Sequence, residues 1–290
     1  MAIMASQFPV VNVSPNNPVF DLPIYVARDE GLFERAGIEV RFQAKYSQRN
    51  ASDKEAFSRL KESLFEQGKA DVYNLCEWAG IDRSERSSRG AQVLALRPAV
   101  GAQAILSFDA AIQEPRDLAG VPVGINDRTG SHYTTLQMLE SAVGREHVKI
   151  QNGSLPSRRW EGLRDRTYRA VAVMEPFISL GLKEGAHIIA ASFYRGGEVV
   201  AADLTAEERK AYYDAENQAV DLINGDFYKY AHHVAAATKG ALQPRELLRA
   251  FVHYKHVDYY DPALFNRAYD WMKARGMSEG QSQHAALVVG

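Results

Sequence analysis

The sequence predicts an α/β fold of two three-layer lobes with a cleft between them. Apolar runs of strand character alternate with amphipathic helical patterns in two separate series, which is the pattern of βαβ units. The 290 residues are 46% hydrophobic and 24% charged, enough for two hydrophobic cores. A stretch at 97–101 predicts a crossing between the series. A turn at 193–197 predicts the return, so we expect one lobe from residues 1–98 with 192–290 and the other from 99–191.

The first series begins near the N-terminus. Val10–Val13 is a short apolar strand that runs into SPNNP, a turn-forming cluster. A helical pattern starts at Leu22 and ends before a second strand at Ile38–Phe42. A charged amphipathic helix over Asp53–Gln67 then leads to a strand at Ala70–Leu75. This order predicts strand, helix, strand, helix, strand.

The second series follows the crossing. Strands are predicted at 93–96 and 102–108, on either side of residues 97–101. Gly120–Glu140 then gives a strand, a polar turn and a helix that Ser131 can cap. The rest of the series is predicted as strands at 147–151, 170–174 and 188–191 and a helix at 158–166. Beyond Thr205 the pattern is mostly helical.

Composition excludes several classes of function. A net charge of −2 and a pI near 6.5 give no basic face for a nucleic acid. With one cysteine and no Cys/His metal spacing, we expect no internal disulfide, metal or cofactor. No window approaches the ~20 apolar residues of a membrane span. The N-terminal residues lack the pattern of a secretory signal, so we expect a cytoplasmic protein; a periplasmic one with its export signal removed is the alternative.

Polar side chains follow the predicted strands where the loops of both lobes would face the cleft. Loops at the carboxyl ends of strands are where open α/β sheets bind ligands, and a helix start there favours an anion. The alternative for Gly120–Glu140 is a plain chain reversal. The predicted ligand contacts are Asn16, Asn17, Asp21, Glu77, Trp78, Asp127, Thr129, Ser131 and Tyr133.

Three residues are candidates for chemistry. His132, at the predicted helix start, could serve as an acid or base near neutral pH, or lie on the surface. Cys76 could be a nucleophile if a cation lowered its thiol pKa, but Glu77 beside it opposes this, and a buried structural cysteine is the alternative. Glu175 could receive an amine or hydroxyl of the ligand, or cap a neighbouring helix.

Spaced segments of the chain resemble one protein family. LPIYVARDEGLFERAGIEV, LFEQGKADVYNL, IQEPRDLAGVPVGINDRTGSHY and YRAVAVMEPF are similar, in this order, to the SsuA/THI5-like solute-binding proteins of sulfonate, nitrate and taurine importers. The resemblance spans about Val10 to Ala191 and implies a periplasmic-binding-protein type II-like scaffold. It places Asn16, Cys76, residues 127–133 and Glu175 on loops facing one cleft.

The resemblance leaves two functional hypotheses. The first is a cytoplasmic enzyme, a lyase or hydrolase of a small aromatic or heteroaromatic acid, favoured by the titratable groups expected in the cleft. The second is the substrate-binding component of an ABC importer, with a permease as its partner and a sulfonate, nitrate, taurine or pyrimidine-like solute as its ligand. The aromatic sulfinate desulfinase of this scaffold has a nucleophilic cysteine where this chain has Asn16 and Asn17, so that activity is not implied.

Overall fold

The computed structural model describes residues 8–43, 56–89, 92–278 and 280–288. The start of the amphipathic helix predicted over Asp53–Gln67, residues 53–55, lies outside these ranges. The strands are β1 (Val10–Ser14), β2 (Glu39–Phe42), β3 (Val72–Cys76), β4 (Gln92–Ser107), β5 (Pro122–Ile125), β6 (Lys149–Asn152), β7 (Ala170–Val173), β8 (His187–Ala201), β9 (Val252–Tyr254) and β10 (Asp258–Tyr259).

The helices alternate with the strands up to β8 and dominate the chain after it. They are α1 (Pro18–Asp29), α2 (Leu32–Arg35), α3 (Ala56–Glu66), α4 (Glu77–Arg86), α5 (Gly130–Glu140), α6 (Pro156–Arg164), α7 (Phe177–Lys183), α8 (Ala206–Gly225), α9 (Phe227–Tyr230), α10 (His232–Ala235), α11 (Pro262–Lys273) and α12 (His284–Leu287). Short 3₁₀ turns span Pro115–Leu118, Arg145–His147, Ala236–Thr238, Pro244–Glu246 and Arg249–Phe251.

The strand order is β2-β1-β3-β8-β4-β7-β5-β6, with β9 and β10 added on β4. β1 runs parallel to both β2 and β3, and β5 runs parallel to both β6 and β7. β4 and β8 are antiparallel to each other and to their outer neighbours, β7 and β3. The two parallel groups are the two predicted βαβ series, one in each lobe, and β4 and β8 connect the two lobes.

The joining strands are much longer than the sequence pattern predicts. The expected strands at 93–96 and 102–108 are one 16-residue strand, and the expected short strand at 188–191 and the turn at 193–197 are one 15-residue strand. The prediction was wrong because Arg97 and Pro98 interrupt the apolar run. The pairing register shifts between Leu96 and Val100, an irregularity that accommodates a proline inside a strand. The lobe boundaries at 98/99 and 191/192 stay a prediction.

Each lobe is closed by helices packed on its sheet. In the second lobe, alternate strand residues face opposite ways: Val171 and Val173 join a core with Trp160, whereas Ala170 and Ala172 join a separate core with Leu139. These two cores on opposite faces give the three predicted layers. The first lobe has one larger core that includes residues of α1, α8 and α11. In the described part of the chain, no helix combines the length and apolarity needed to cross a membrane.

Candidate functional site

A cavity of ≈ 80 Å³ lies where the loops of both lobes meet. Its lining combines cationic, polar and apolar side chains, and none of the described lining residues is acidic. The cationic members are Lys61, Arg83, Arg97, Arg128 and Arg159. The others are Asn16, Asn17, Phe20, Leu75, Cys76, Ala79, Asn126, Thr129, Gly130, Leu155, Pro156, Met174 and Tyr194.

Four helices begin at this cavity. Their N-cap residues, Asn17 of α1, Cys76 of α4, Thr129 of α5 and Leu155 of α6, all line it. Each helix follows a strand whose carboxyl end points to the cleft. The first N–H groups of a helix have no intrahelical partner and carry partial positive charge. Four such ends from both lobes therefore favour a negatively charged ligand.

The start of α1 shows how local sequence sets this geometry. The helix begins at Pro18, earlier than the predicted Leu22, because the Asn17 side chain caps it by accepting a hydrogen bond from the Val19 N–H at 3.1 Å. Proline is favoured at the first helical position, where its missing N–H is not needed. The prediction was wrong at this point because SPNNP resembles an independent turn. The early start brings Asn16 and Asn17 to the cavity wall.

Arg97 is the main cationic group of the first lobe. Its side chain is 1% exposed, yet it lies on β4 with no aspartate or glutamate in a salt bridge to it among the described residues. The Nε donates to the Ala99 carbonyl at 3.2 Å, and Nη1 donates to Asn74 Oδ1 at 3.2 Å and to the Leu75 carbonyl at 3.1 Å. The guanidinium lies 3.6 Å from the Phe20 ring centroid. Nη2 is buried and has no hydrogen-bond partner among the described residues.

Arg159 is the corresponding group of the second lobe. It is also 1% exposed and is held on α6 by hydrogen bonds from Nε to the Ala172 carbonyl at 2.7 Å and from Nη1 to the Ser154 carbonyl. The adjacent Arg158 is exposed and pairs with Glu161 on the surface. The phase of α6 thus directs one of two neighbouring arginines into the cavity.

Two buried titratable groups, Lys61 and Asp21, lie near Arg97. Lys61 Nζ donates to the Asn74 carbonyl at 3.2 Å, and burial lowers the pKa of Lys61 to about 7 although Asp21 opposes this. Asp21 does not line the cavity. Its carboxylate accepts hydrogen bonds from the Asn16 N–H at 2.5 Å and from the Asn74 side-chain amide at 2.7 Å, and burial raises the pKa of Asp21 to about 6. Asp21 therefore acts on the ligand site only through its neighbours.

The loop before α5 has the predicted polar turn, but its cap differs. Thr129 is the N-cap, while the Ser131 hydroxyl accepts a hydrogen bond from the Asn126 N–H at 2.9 Å. Arg128 has a left-handed backbone with φ of 49°, which is uncommon outside glycine. Thr129 lines the cavity, whereas Ser131 and His132 lie just behind it. Asp127 is 52% exposed and lies 2.9 Å from His132 Nδ1.

Trp78 and Tyr133, the two aromatic residues among the predicted ligand contacts, stack on each other. The ring centroids of Trp78 and Tyr133 are 5.4 Å apart with an interplanar angle of 27°, and Trp271 lies 6.1 Å from both. Trp78 and Tyr133 are buried and do not line the cavity. Because Tyr133 belongs to the second lobe and both tryptophans to the first, the stack joins the two lobes.

The predicted acidic contacts also have protein partners. Glu77 Oε2 accepts a hydrogen bond from the Tyr260 hydroxyl at 3.1 Å. Glu175 accepts hydrogen bonds from the Ser179 N–H at 3.1 Å and from the Ser179 hydroxyl at 2.6 Å, which is the helix-capping alternative. Burial raises the pKa of Glu77 and of Glu175 to about 7. Neither carboxyl lines the cavity.

Cys76 does line the cavity, but its environment suppresses its reactivity. The thiol is buried, and burial raises its pKa to about 11 although the Ala79 N–H and Arg97 oppose the effect. The thiolate is the nucleophilic form, so at neutral pH this residue is a small apolar wall element. No three metal-ligating side chains come together among the described residues.

Sequence reasoning missed the residues with most of the positive charge. The position of Arg97 could have been predicted from the sequence, because a lone arginine between apolar strand residues must be buried or lie at a bulge. Lys61 and Arg159 carried no such signal, since each lies in a charged helical segment that is typical of a solvated face. Arg83 also lines the cavity, where it pairs with Asp82 and Glu62.

Solved structures with the same architecture include binding proteins and an enzyme. The alkanesulfonate-binding protein SsuA from Xanthomonas axonopodis pv. citri, bound to MOPS, has a TM-score of 0.78 at 15% identity over 98% of this chain and 99% of that one. The periplasmic aliphatic sulphonate binding protein SsuA from Escherichia coli has a TM-score of 0.73 at 14% identity, and the match covers 94% of each chain. The desulfurization enzyme DszB has a TM-score of 0.63 at 14% identity, and this match also covers 94% of each chain.

The fold is therefore that of the type II-like periplasmic binding proteins, as the sequence predicted. Within that fold, the resemblance to the SsuA-like proteins is confirmed at the level of the architecture, since identities of 14–15% establish the fold alone. No family model matches the chain, and no curated protein matches it. Fold does not decide reaction, so function rests on the cavity.

Proposed function

We propose that this protein is the substrate-binding component of an ABC importer and that it holds a small organic anion, of the sulfonate type, in the cavity between its lobes. The observation that carries the proposal is Arg97, a cavity-lining arginine whose buried Nη2 has no hydrogen-bond partner among the described residues. A buried donor left unpaired costs about 1–3 kcal/mol, more when charged. An anionic oxygen would satisfy it.

The electrostatics of both walls support an anion. Arg97 comes from the first lobe and Arg159 from the second, and the cavity also collects the four helix N-termini. A sulfonate has three oxygens in a tripod and can accept hydrogen bonds from both lobes at once. Binding would thus hold the lobes together, as a transport binding protein requires.

The size and apolar part of the cavity favour a compact ligand with a short organic group. A volume of ≈ 80 Å³ holds about five to eight water molecules, which is close to the size of ethanesulfonate. Phe20, Leu155 and Met174 give an apolar wall beside the cationic groups. Such a wall suits the alkyl part of a sulfonate better than a second charged group.

The enzyme hypothesis has less support from the site. It depended on Cys76, His132, Glu77 and Glu175 meeting at the ligand. Of these, only Cys76 lines the cavity, and its thiol is protonated at neutral pH. The likeness to DszB shows that the scaffold is shared with an enzyme and nothing further.

Isothermal titration calorimetry with ethanesulfonate, methanesulfonate, MOPS, nitrate, sulfate and benzoate tests the proposal. We expect a sulfonate to bind, and Arg97→Met to weaken it about 10- to 100-fold, because a hydrogen bond to a charged group is lost. Arg159→Met should also weaken binding, whereas Arg158→Met is a matched control that changes only an exposed neighbouring arginine. Mass spectrometry should recover the ligand unchanged.

Two results would contradict the proposal. One is a folded wild type that binds none of these anions. The other is an Arg97→Met variant, folded by thermal unfolding, that binds the sulfonate as tightly as the wild type. Conversion of a bound sulfonate or carboxylate to a product would revive the enzyme hypothesis.

A further inference from the structure

The imidazole of His132 contacts the loop that lines the anion cavity. Its Nδ1 lies 3.1 Å from the backbone nitrogen of Arg128 and 2.9 Å from Asp127 Oδ1. The Arg128 N–H also points to Asp127 Oδ1 at 3.0 Å. One N–H is thus shared between two acceptors, in a loop whose next residue, Thr129, begins α5. Arg128 and Thr129 both line the cavity, whereas His132 does not.

This geometry depends on the protonation state of the ring. A neutral imidazole with its proton on Nε2 can accept the Arg128 N–H at Nδ1. A protonated imidazole carries hydrogen on both nitrogens, so Nδ1 can only donate, and its nearest acceptor is Asp127 Oδ1. The Arg128 N–H then faces another N–H and loses one of its acceptors. Arg128 is already in a left-handed conformation that needs support from its surroundings.

We propose that His132 is a positioning residue whose neutral Nδ1 accepts the Arg128 N–H and so fixes residues 126–129 against the anion, and that protonation of the ring at acidic pH releases this loop and weakens ligand binding. The inference rests on the proposed function, because the loop is assigned to an anion site. It assigns to His132, which does not line the cavity, the role of positioning a loop that does. It also names acidic pH as a condition under which the ligand is released.

The charged groups that act on the protonation of His132 belong to its own loop. Asp127 favours the charged ring and Arg128 opposes it. From α4, Asp82 and Arg83 face the start of α5, but they are paired with each other. From β8, the Tyr194 hydroxyl lies at Gly130, and from β4, Arg97 lies beside Tyr194. In the turn Pro115–Leu118, the Asp117 carboxylate accepts hydrogen bonds from its own segment.

The direction of the effect follows from burial. His132 is largely buried, and burial lowers its pKa below the usual 6.5 although Asp127 opposes this. A histidine with a lowered pKa stabilises the folded arrangement while it is neutral, and this contribution is lost as the pH falls below 6.5. Acidification therefore favours arrangements in which the ring reaches water, such as a displaced loop or parted lobes.

Calorimetry with ethanesulfonate at pH 5, 6, 7 and 8 tests the inference on the wild type, His132→Asn, His132→Ala and His147→Asn. Asparagine can place an amide oxygen near the position of Nδ1 and does not titrate, so His132→Asn should keep wild-type affinity at pH 8 and lose less at pH 5. At pH 5 we expect the affinity of His132→Asn to exceed that of the wild type by about 2- to 10-fold, the effect of one hydrogen bond. His132→Ala should bind more weakly at pH 8. His147 is exposed, so its variant should follow the wild type.

A second measurement needs no ligand. In ¹H–¹⁵N spectra of the free protein, the Arg128 amide shift should follow the His132 ring titration in the wild type and stay constant in His132→Asn. If no anion binds at any pH, the proposed function fails, and this titration still decides whether His132 controls the loop. The inference is overturned by coincident pH profiles for the wild type and His132→Asn, by full affinity of His132→Ala at pH 8, or by an Arg128 amide that does not titrate.

Discussion

Gly196→Ala is expected to damage both the fold and the anion site. Gly196 lies on β8 opposite Cys76 of β3, and a Cβ built there would be 2.0 Å from the Leu75 carbonyl oxygen and 2.5 Å from Arg97 Cζ. Ordinary contacts of a Cβ begin near 3.4 Å, so the Leu75 carbonyl would have to move by about 1.4 Å and the guanidinium by about 0.9 Å. The Leu75 carbonyl cannot yield easily, because it accepts a hydrogen bond from Arg97 Nη1.

The size of the effect follows from what the displacement breaks. Overpacking a rigid site costs about 1–3 kcal/mol, and moving Arg97 also disturbs hydrogen bonds to a charged group, each of about 1.5–3 kcal/mol. We expect a loss of about 3 kcal/mol or more in the free energy of unfolding, measured by urea denaturation, and a loss of sulfonate affinity. Gly225→Ala is the control, since a Cβ there meets nothing within 4 Å. Stabilities of the two variants within about 0.5 kcal/mol of each other would refute the reasoning.

Three further predictions concern buried groups elsewhere. Burial raises the pKa of Glu198 to about 8, with the Glu216 carboxyl close by, so stability should fall as pH rises from 4.5 through 8. Urea midpoints across this range should fall less steeply for Glu198→Gln, and parallel curves would contradict this. Cys76 should react very slowly with a disulfide reagent at pH 7 and more slowly still with sulfonate bound; equal rates with and without ligand would place the thiol outside the site. Glu140 and Arg275 form a largely buried ion pair between α5 and the segment that follows α11. A double-mutant cycle with Gln at both positions should give a coupling of about 0.5–3 kcal/mol, whereas additive effects would exclude the pair as a link between the lobes.

The fold was predictable because its signals are local. Strand and helix periodicities recur within single segments, and the rule that ligands lie at the carboxyl ends of strands selected Asn16, Cys76 and Thr129, which line one cavity. The length of β4 was not predictable, because Arg97 and Pro98 break the apolar pattern and only the tertiary partner shows that pairing resumes. The cytoplasmic location stays a prediction.

The side chains that line the cavity were less predictable because their placement depends on packing between distant segments. Arg158 and Arg159 are adjacent and chemically identical, yet one is exposed and the other 1% exposed. The phase of α6 decides between them, and a sequence window of charged residues does not reveal which face meets the sheet. Trp78 and Tyr133 show the opposite case. They were predicted to contact a ligand, but they stack on each other across the two lobes.

The arrangement around Arg97 explains how a buried cation can remain available for a ligand. Burying an unpaired charge is costly, and a direct ion pair would offset that cost but would occupy the guanidinium. Here Asp21 lies close enough to interact electrostatically with Arg97, while its oxygens are taken by the Asn16 N–H and the Asn74 amide. The Asn74 Oδ1 in turn accepts from Arg97 Nη1. The charge is thus stabilised through an intervening amide and the Phe20 ring, and Nη2 has no hydrogen-bond partner among the described residues, as the proposed anion site requires.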